Sequence, residues 1–316
     1  MNFLKTPGFG GTSVQFSPFF ETRLAVSACQ NYGIVGNGRQ YVIELTPNGI
    51  SEVCYYETNS ILLDCSWCEC NENLLLSADG DGSLKLWDTA CLPAANPIAS
   101  LVEHMSDACC VDWNLQRKNC FLSSSWDTTI KLWTLDRSTS FRTFAEHTHC
   151  VYGVSWNPLH PDVLASASGD CTLRCWDVRS PASILVIGAH DSEILSCDWN
   201  KYNEFLLATG SVDSSIRLWD VRNHMIPLAV LDGHTLAVRR VKFSPYHENV
   251  IGSCSYDMTV RLWNTVIPQN ALLATYDHHT EFAAGFDMSL HEDYLLASVG
   301  YDDCIFVWPH TSDPRM

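Results

Sequence analysis

His190, Thr209 and Asp213 fall within twenty-four residues of one another, in the stretch GAHDSEILSCDWNKYNEFLLATGSVDSSIRLWD. A histidine, a hydroxyl and an aspartate are the base, nucleophile and orienting acid of one kind of hydrolase. The rest of the chain argues against that chemistry. Tryptophans stand at 87, 133, 176, 219, 263 and 308, and six residues before each comes Asp81, Asp127, Asp170, Asp213, Asp257 or Asp302. Four residues before each aspartate is a hydroxyl: Ser77, Ser123, Ser166, Thr209, Ser253 and Ser298. Twenty-three before each of the last five aspartates is His104, His147, His190, His234 or His279. A catalyst needs one nucleophile, not five, and no GxSxG elbow is present. The set is therefore read as a structural hydrogen-bond chain that satisfies a buried indole N–H and ties inner strands together.

The elements that would hold such a chain are short strands. In the quoted unit ILSCDW alternates, FLLATG is a buried apolar run, VDSS is a tight turn and IRLWD alternates again, with LAVL at 228–231 as a fourth strand. Four strands in a period of 43 to 46 residues, with Trp-Asp at 87–88, 176–177 and 219–220, are the signature of a WD40 β-propeller. The units at Trp133, Trp263 and Trp308 end in Trp-Thr, Trp-Asn and Trp-Pro instead. A seventh unit lies at the front: VQFSP (14–18), RLAVSAC (23–29) and RQYVIEL (39–45), with Ser27 in the hydroxyl place and a longer turn, QNYGIVGNG. The expected fold is all-β, a seven-bladed WD40 β-propeller of four-stranded antiparallel blades. The segment near Phe3–Thr6 supplies the last outer strand and closes the ring, making residues 1–316 one domain.

Composition limits what such a ring can bind. The 316 residues carry a net charge of −17, so nucleic acid is excluded as a partner and basic partners are favoured. No apolar run reaches the roughly 18 residues of a membrane span, so direct membrane insertion is not expected. MNFLKTPGFGG lacks the features of a secretory signal. With fifteen cysteines and no export signal, a reducing compartment follows, with thiols acting mainly as small core residues. Cys65, Cys68 and Cys70 include a CxxC, and Cys109–Cys110 is a vicinal pair, but no second ligand pair stands at zinc spacing. The GNG and GDG triplets are turns, since no P-loop lysine follows. No cofactor, no metal and no catalytic residue is expected.

Strand order places function. In an up-and-down blade the histidine loop and the aspartate turn share one end, so residues at inner-strand starts and just before each turn aspartate should ring the channel mouth there. Ile61, Leu63, Asp107, Tyr152, Glu193, Leu195 and Phe282 are in the first set, and Trp126, Tyr256 and Tyr301 in the second. These ten form a candidate peptide platform, apolar in the middle and acidic at its edge, suited to a basic amphipathic helix. Arg239 and Arg240 are expected to pair with an acidic patch on a partner or with neighbouring carboxylates. Of His278 and His279, one is structural and either could titrate near neutrality.

Several stretches go beyond the generic repeat: KTPGFGGTSVQFSPF, LAVSACQNYGIVGNGR, ASASGDCTLRCWDVR, AHDSEILSCDWNKYNE, GHTLAVRRVKFSP, SCSYDMTVRLWN and DHHTEF. In these the chain resembles, through nearly its whole length, the WD-repeat peroxin family of receptors for the type 2 peroxisomal targeting signal. The resemblance implies a non-enzymatic import receptor that is monomeric before it assembles. Its cargo would be matrix proteins with an N-terminal signal of the form Arg/Lys-Leu/Val/Ile, five variable residues, His/Gln-Leu/Ala. A co-receptor and membrane docking proteins would be its partners, and it would cycle between cytoplasm and peroxisome. The two ends of that signal are seven residues apart, so they share one helical face. Leucines would meet Leu63, Leu195, Trp126 and Tyr152, and the basic residue Asp107 or Glu193. The terminal Pro-Arg-Met is not a type 1 signal, so entry would depend on cargo or partner. The alternative on the same fold is a scaffold for another peptide, such as a ubiquitin-ligase adaptor or histone-tail binder.

Overall fold

The computed structural model describes residues 2–266 and 270–310; the terminal Pro-Arg-Met lies outside them. Among the described residues twenty-eight strands form seven four-stranded antiparallel sheets, six of them running from the inner strand outward in chain order and the last taking the first strand of the chain as its outer one. The inner strands are Gly10–Phe16, Leu62–Trp67, Ala108–Trp113, Val151–Trp156, Ile194–Trp199, Val238–Phe243 and Ala283–Met288. Each touches the next, and the seventh touches the first, so the ring is closed. The closing strand is Asn2–Lys5, which pairs antiparallel with Cys304–Pro309, Phe3 opposite Phe306. Both the seven blades and the N-terminal closure are as the repeat predicts.

Blades hold together through a layer of large side chains between neighbouring sheets. Trp67, Trp87, Trp113, Trp133, Trp176, Trp199 and Trp263 are almost wholly buried. Trp176 of the fourth blade, for example, packs with Leu122, Leu132 and Phe144 of the third. Burying one such side chain stabilises by roughly 1.5–3 kcal/mol, and the layer recurs around the ring.

Polar groups complete the lateral joints near the axis. Asp112 accepts the Trp156 N–H at 2.7 Å, Asp198 that of Phe243 at 2.8 Å and Asp287 that of Phe16 at 2.8 Å, each on a neighbouring blade. Arg240 crosses the channel to Asp64 at 2.8 Å, while Ser13 donates to Asp64 at 2.6 Å. Of the two alternatives for this arginine, the neighbouring carboxylate is the one realised. The buried Asp64 would titrate high, but Arg240 and Ser13 outweigh burial and hold it below the usual carboxylate range.

Candidate functional site

The five histidine sets form as chains of hydrogen bonds. In the sixth blade Trp263 donates its indole N–H to Ser253 at 2.8 Å. Ser253 meets His234 Nε2 at 2.8 Å, and His234 Nδ1 meets Asp257 at 2.8 Å. His104, His147 and His190 repeat this with Asp127, Asp170 and Asp213, each at 2.8 Å, completed by Trp133, Trp176 and Trp219. In the last blade His279 reaches Asp302 at 3.0 Å and Ser298 at 2.8 Å, but no hydrogen bond links Trp308 to Ser298. Burial lowers His190 and His234, consistent with neutral rings that donate from Nδ1. Burial also works to raise Asp127, Asp170 and Asp257, yet bonds from their histidines and a nearby threonine hold them far below the usual range. The hydroxyls are fully buried, so no substrate reaches them.

In the second blade, which has no such histidine, Trp87 still donates to Ser77 at 2.9 Å, and Lys85 pairs with the buried Asp79. The fifteen cysteines are free, and no group of metal-ligating side chains occurs among the described residues. His278 stacks edge-on against Trp308, leaving His279 as the structural histidine of that pair.

At the end of the ring that carries these histidines, the channel opens into a cavity of about 640 Å³. Two local features build its wall. First, every inner strand carries a bulge just after its start, at Thr12, Leu63, Cys109, Tyr152, Leu195, Arg239 and Ala284. A bulge adds a residue against its partner strand and re-aims a side chain. Second, the residue before each turn aspartate donates its N–H to the carbonyl at the inner-strand start. Trp126 bonds to Asp107 at 3.0 Å, Val212 to Glu193 at 3.0 Å, Tyr256 to Ala237 at 3.0 Å and Tyr301 to Phe282 at 3.0 Å. The two sets of rim positions are thus fastened to one another.

Ile61, Leu63, Asp107, Trp126, Tyr152, Leu195, Tyr256 and Tyr301 line the cavity together. Glu193 and Phe282 stand one contact behind. Glu193 accepts the Tyr152 hydroxyl at 3.3 Å, and the Phe282 ring lies 4.9 Å from that of Tyr256. Trp126 is 46% exposed, whereas the three tyrosines are half-buried. Burial, with the field of Asp81, raises the Asp107 carboxyl above its ordinary value, so a cation alongside would favour its charged form.

Three lining residues, Tyr32, Ile34 and Val35, escape the rim rule because the front blade has no aspartate turn. Its longer turn holds Asn31, Tyr32, Gly33 and Gly36 at positive φ and leans over the cavity, with Tyr32 5.6 Å from Tyr301. Three apolar side chains in a turn otherwise built of glycine and asparagine are the signal that could have found it. Arg239 sits at the bulge of its inner strand, at one of the positions that the strand order places on the rim. It lines the cavity without a hydrogen bond or ion pair to any described residue, unlike Arg240 next to it.

Comparison with known proteins gives the same fold and a narrower kinship. The model for the WD domain, G-beta repeat, matches residues 50–88, 95–134, 138–177, 182–220 and 225–264. Peroxisome biogenesis protein 7 of Arabidopsis thaliana is 58% identical over 317 residues, 100% of this chain and 99% of that protein. The peroxisomal targeting signal 2 receptor of Dictyostelium discoideum is 52% identical over 90% of each chain. The human receptor of that name is 48% identical over 89% of this chain and 87% of its own. This chain belongs to the family of WD-repeat peroxisomal targeting signal 2 receptors.

Proposed function

We propose that this chain is an import receptor that holds the type 2 signal of peroxisomal matrix proteins as an amphipathic helix across the cavity on the histidine-bearing face. The observation that carries the reading is the make-up of that cavity. Trp126, Tyr152, Tyr256 and Tyr301 supply rigid anchors among Ile61, Leu63 and Leu195, with Asp107 and Glu193 at the margin. An apolar floor with carboxylates beside it matches a helix that shows leucines on one face and a basic residue at one end. Catalysis has no part in this function. A shallow cavity of this kind buries only part of a helix, and a co-receptor would cover the remainder before docking proteins take over at the membrane. The receptor would then shuttle between cytoplasm and peroxisome.

Fluorescence anisotropy of a labelled signal peptide, titrated with folded protein and co-receptor, tests this. The expected result is saturable binding that needs the leucine and histidine of the signal and weakens with Glu193→Lys or Asp107→Lys. A folded protein that ignores the signal would move the reading to a scaffold for another peptide.

A further inference from the structure

The opposite end of the ring carries a second, separately built surface. Seven connections of six residues each, 17–22, 68–73, 114–119, 157–162, 200–205, 244–249 and 289–294, surround the channel there. Six of them expose a large apolar side chain: Phe19 41%, Leu115 45%, Leu159 44%, Tyr202 49%, Tyr246 37% and Leu290 49%. The connections are stitched into a rigid annulus. Tyr202 donates its hydroxyl to the Pro245 carbonyl at 2.7 Å, Tyr246 to that of Leu290 at 2.9 Å, and Gln116 to that of Pro158 at 2.8 Å. The tyrosine hydroxyls are therefore satisfied within the chain, which leaves their rings as apolar surface held in place.

The seventh connection breaks the apolar ring with Glu69. This half-buried carboxylate lines the channel end together with Leu115, Leu290 and Lys201. Among the described residues it makes no hydrogen bond or close ion pair. Lys201 is already committed to Asp198 at 2.8 Å, and Lys118 acts on Glu69 only through its field. Burial, with the field of Asp112 and against that of Lys118, pushes the Glu69 carboxyl up to about 7, so a cation placed beside it would favour its charged form. Across the seven connections eight Asp or Glu stand against three Lys or Arg.

We infer that this annulus docks a second partner, a segment of another protein that presents leucine or aromatic side chains together with a lysine or arginine that reaches Glu69. Charge selects among occupants of an exposed apolar ring. Anionic lipid is repelled by a net acidic face, and a second copy would set that face against its like. A basic apolar peptide complements both features. The annulus and the cavity occupy opposite ends of the channel, so both can be filled at once.

The test uses the full chain carrying Trp126→Ala and Glu193→Lys, which removes the cavity face as a competing site. A fluorescein-labelled 18-residue helical peptide of leucine and lysine is titrated by anisotropy, beside its leucine–glutamate counterpart. Binding of the lysine peptide is expected to weaken about tenfold with Tyr202→Ser plus Leu290→Ser, and severalfold with Glu69→Lys. The glutamate peptide should bind at least about tenfold more weakly. Leu115→Ser plus Leu159→Ser, which touches no tyrosine bond, repeats the test if the first pair melts early. Absence of saturable binding, or binding indifferent to all these substitutions, overturns the inference. So would a concentration-dependent dimer that Leu290→Ser dissolves, or release from phosphatidylcholine–phosphatidylserine vesicles by the same change.

Discussion

The Trp126 backbone N–H donates to the carbonyl oxygen of Asp107 at 3.0 Å, fastening an exposed indole beside an acid at the mouth of the cavity. One bond thus pairs an apolar anchor with a charge from a different strand. Trp126→Ala is expected to weaken signal-peptide binding about tenfold or more, and Asp107→Lys by a comparable factor. Anisotropy with co-receptor present measures both, and thermal melts should stay close to wild type, since neither change removes a backbone bond.

Ile34 and Val35, 84% and 66% exposed, contribute to no core. Replacing both with serine should leave stability within about 0.5 kcal/mol. The same change is expected to weaken the signal peptide severalfold if the front turn closes over it. Unchanged affinity would restrict the cavity's working wall to the six blades with aspartate turns.

His234→Ala removes the middle of a buried chain and takes one hydrogen bond each from Ser253 and Asp257, leaving the Ser253 hydroxyl only the indole N–H of Trp263. A loss of about 2–4 kcal/mol is expected by denaturant unfolding, against little for the exposed His149→Ala. A fluorophosphonate probe should label neither protein, because Ser253 is fully buried.

Arg240→Met leaves Asp64 charged, buried and unpaired, and should cost about 3–5 kcal/mol. Adding Asp64→Asn should recover most of that loss, because the amide oxygen can still accept the Val111 N–H, now at 3.2 Å, while the Ser13 hydroxyl turns to accept from the amide nitrogen. A double mutant no better than the single would mean that the pair's packing, not its charge, matters.

Asp112 provides a pH test. Burial raises its carboxyl to about 6, above the unfolded value, so folding favours the protonated form. Its ionised form therefore destabilises the protein fully above pH 6, and the penalty fades as pH falls toward 4. Asp112→Asn keeps an acceptor for Trp156 and should be more stable than wild type at pH 7.5, by on the order of 2 kcal/mol. That advantage should shrink with acidification. Denaturant midpoints across the range decide it.

Much of this architecture was legible in the spacing of a few side chains. The period of hydroxyl, aspartate and tryptophan marks six blades and their strand order, because each bond in the chain requires those residues at fixed offsets, and the strand pattern with Ser27 marks the seventh. The face followed, since His190 and Asp213 cannot meet unless loop and turn share an end. What stayed hidden was local. No residue type marks the bulges at Leu63, Tyr152 and Arg239, which arise from register. Nor did adjacency separate Arg239, open to the cavity, from Arg240, spent across the channel on Asp64. The front turn is long in the sequence, but its reach over Tyr301 depends on left-handed backbone conformations at Asn31 and Tyr32 that neither residue type dictates.

The pairing of Phe3 with Phe306 also sets a clock. On a ribosome the first strand emerges 303 positions ahead of its partner, and at about 5–20 residues per second that gap lasts roughly 15–60 s. During that interval six sheets can form while the seventh is missing strands and the circle stands open. Closure therefore waits until Cys304–Val307 has been made, so the two mouths of the channel acquire their shape only after every blade is in place.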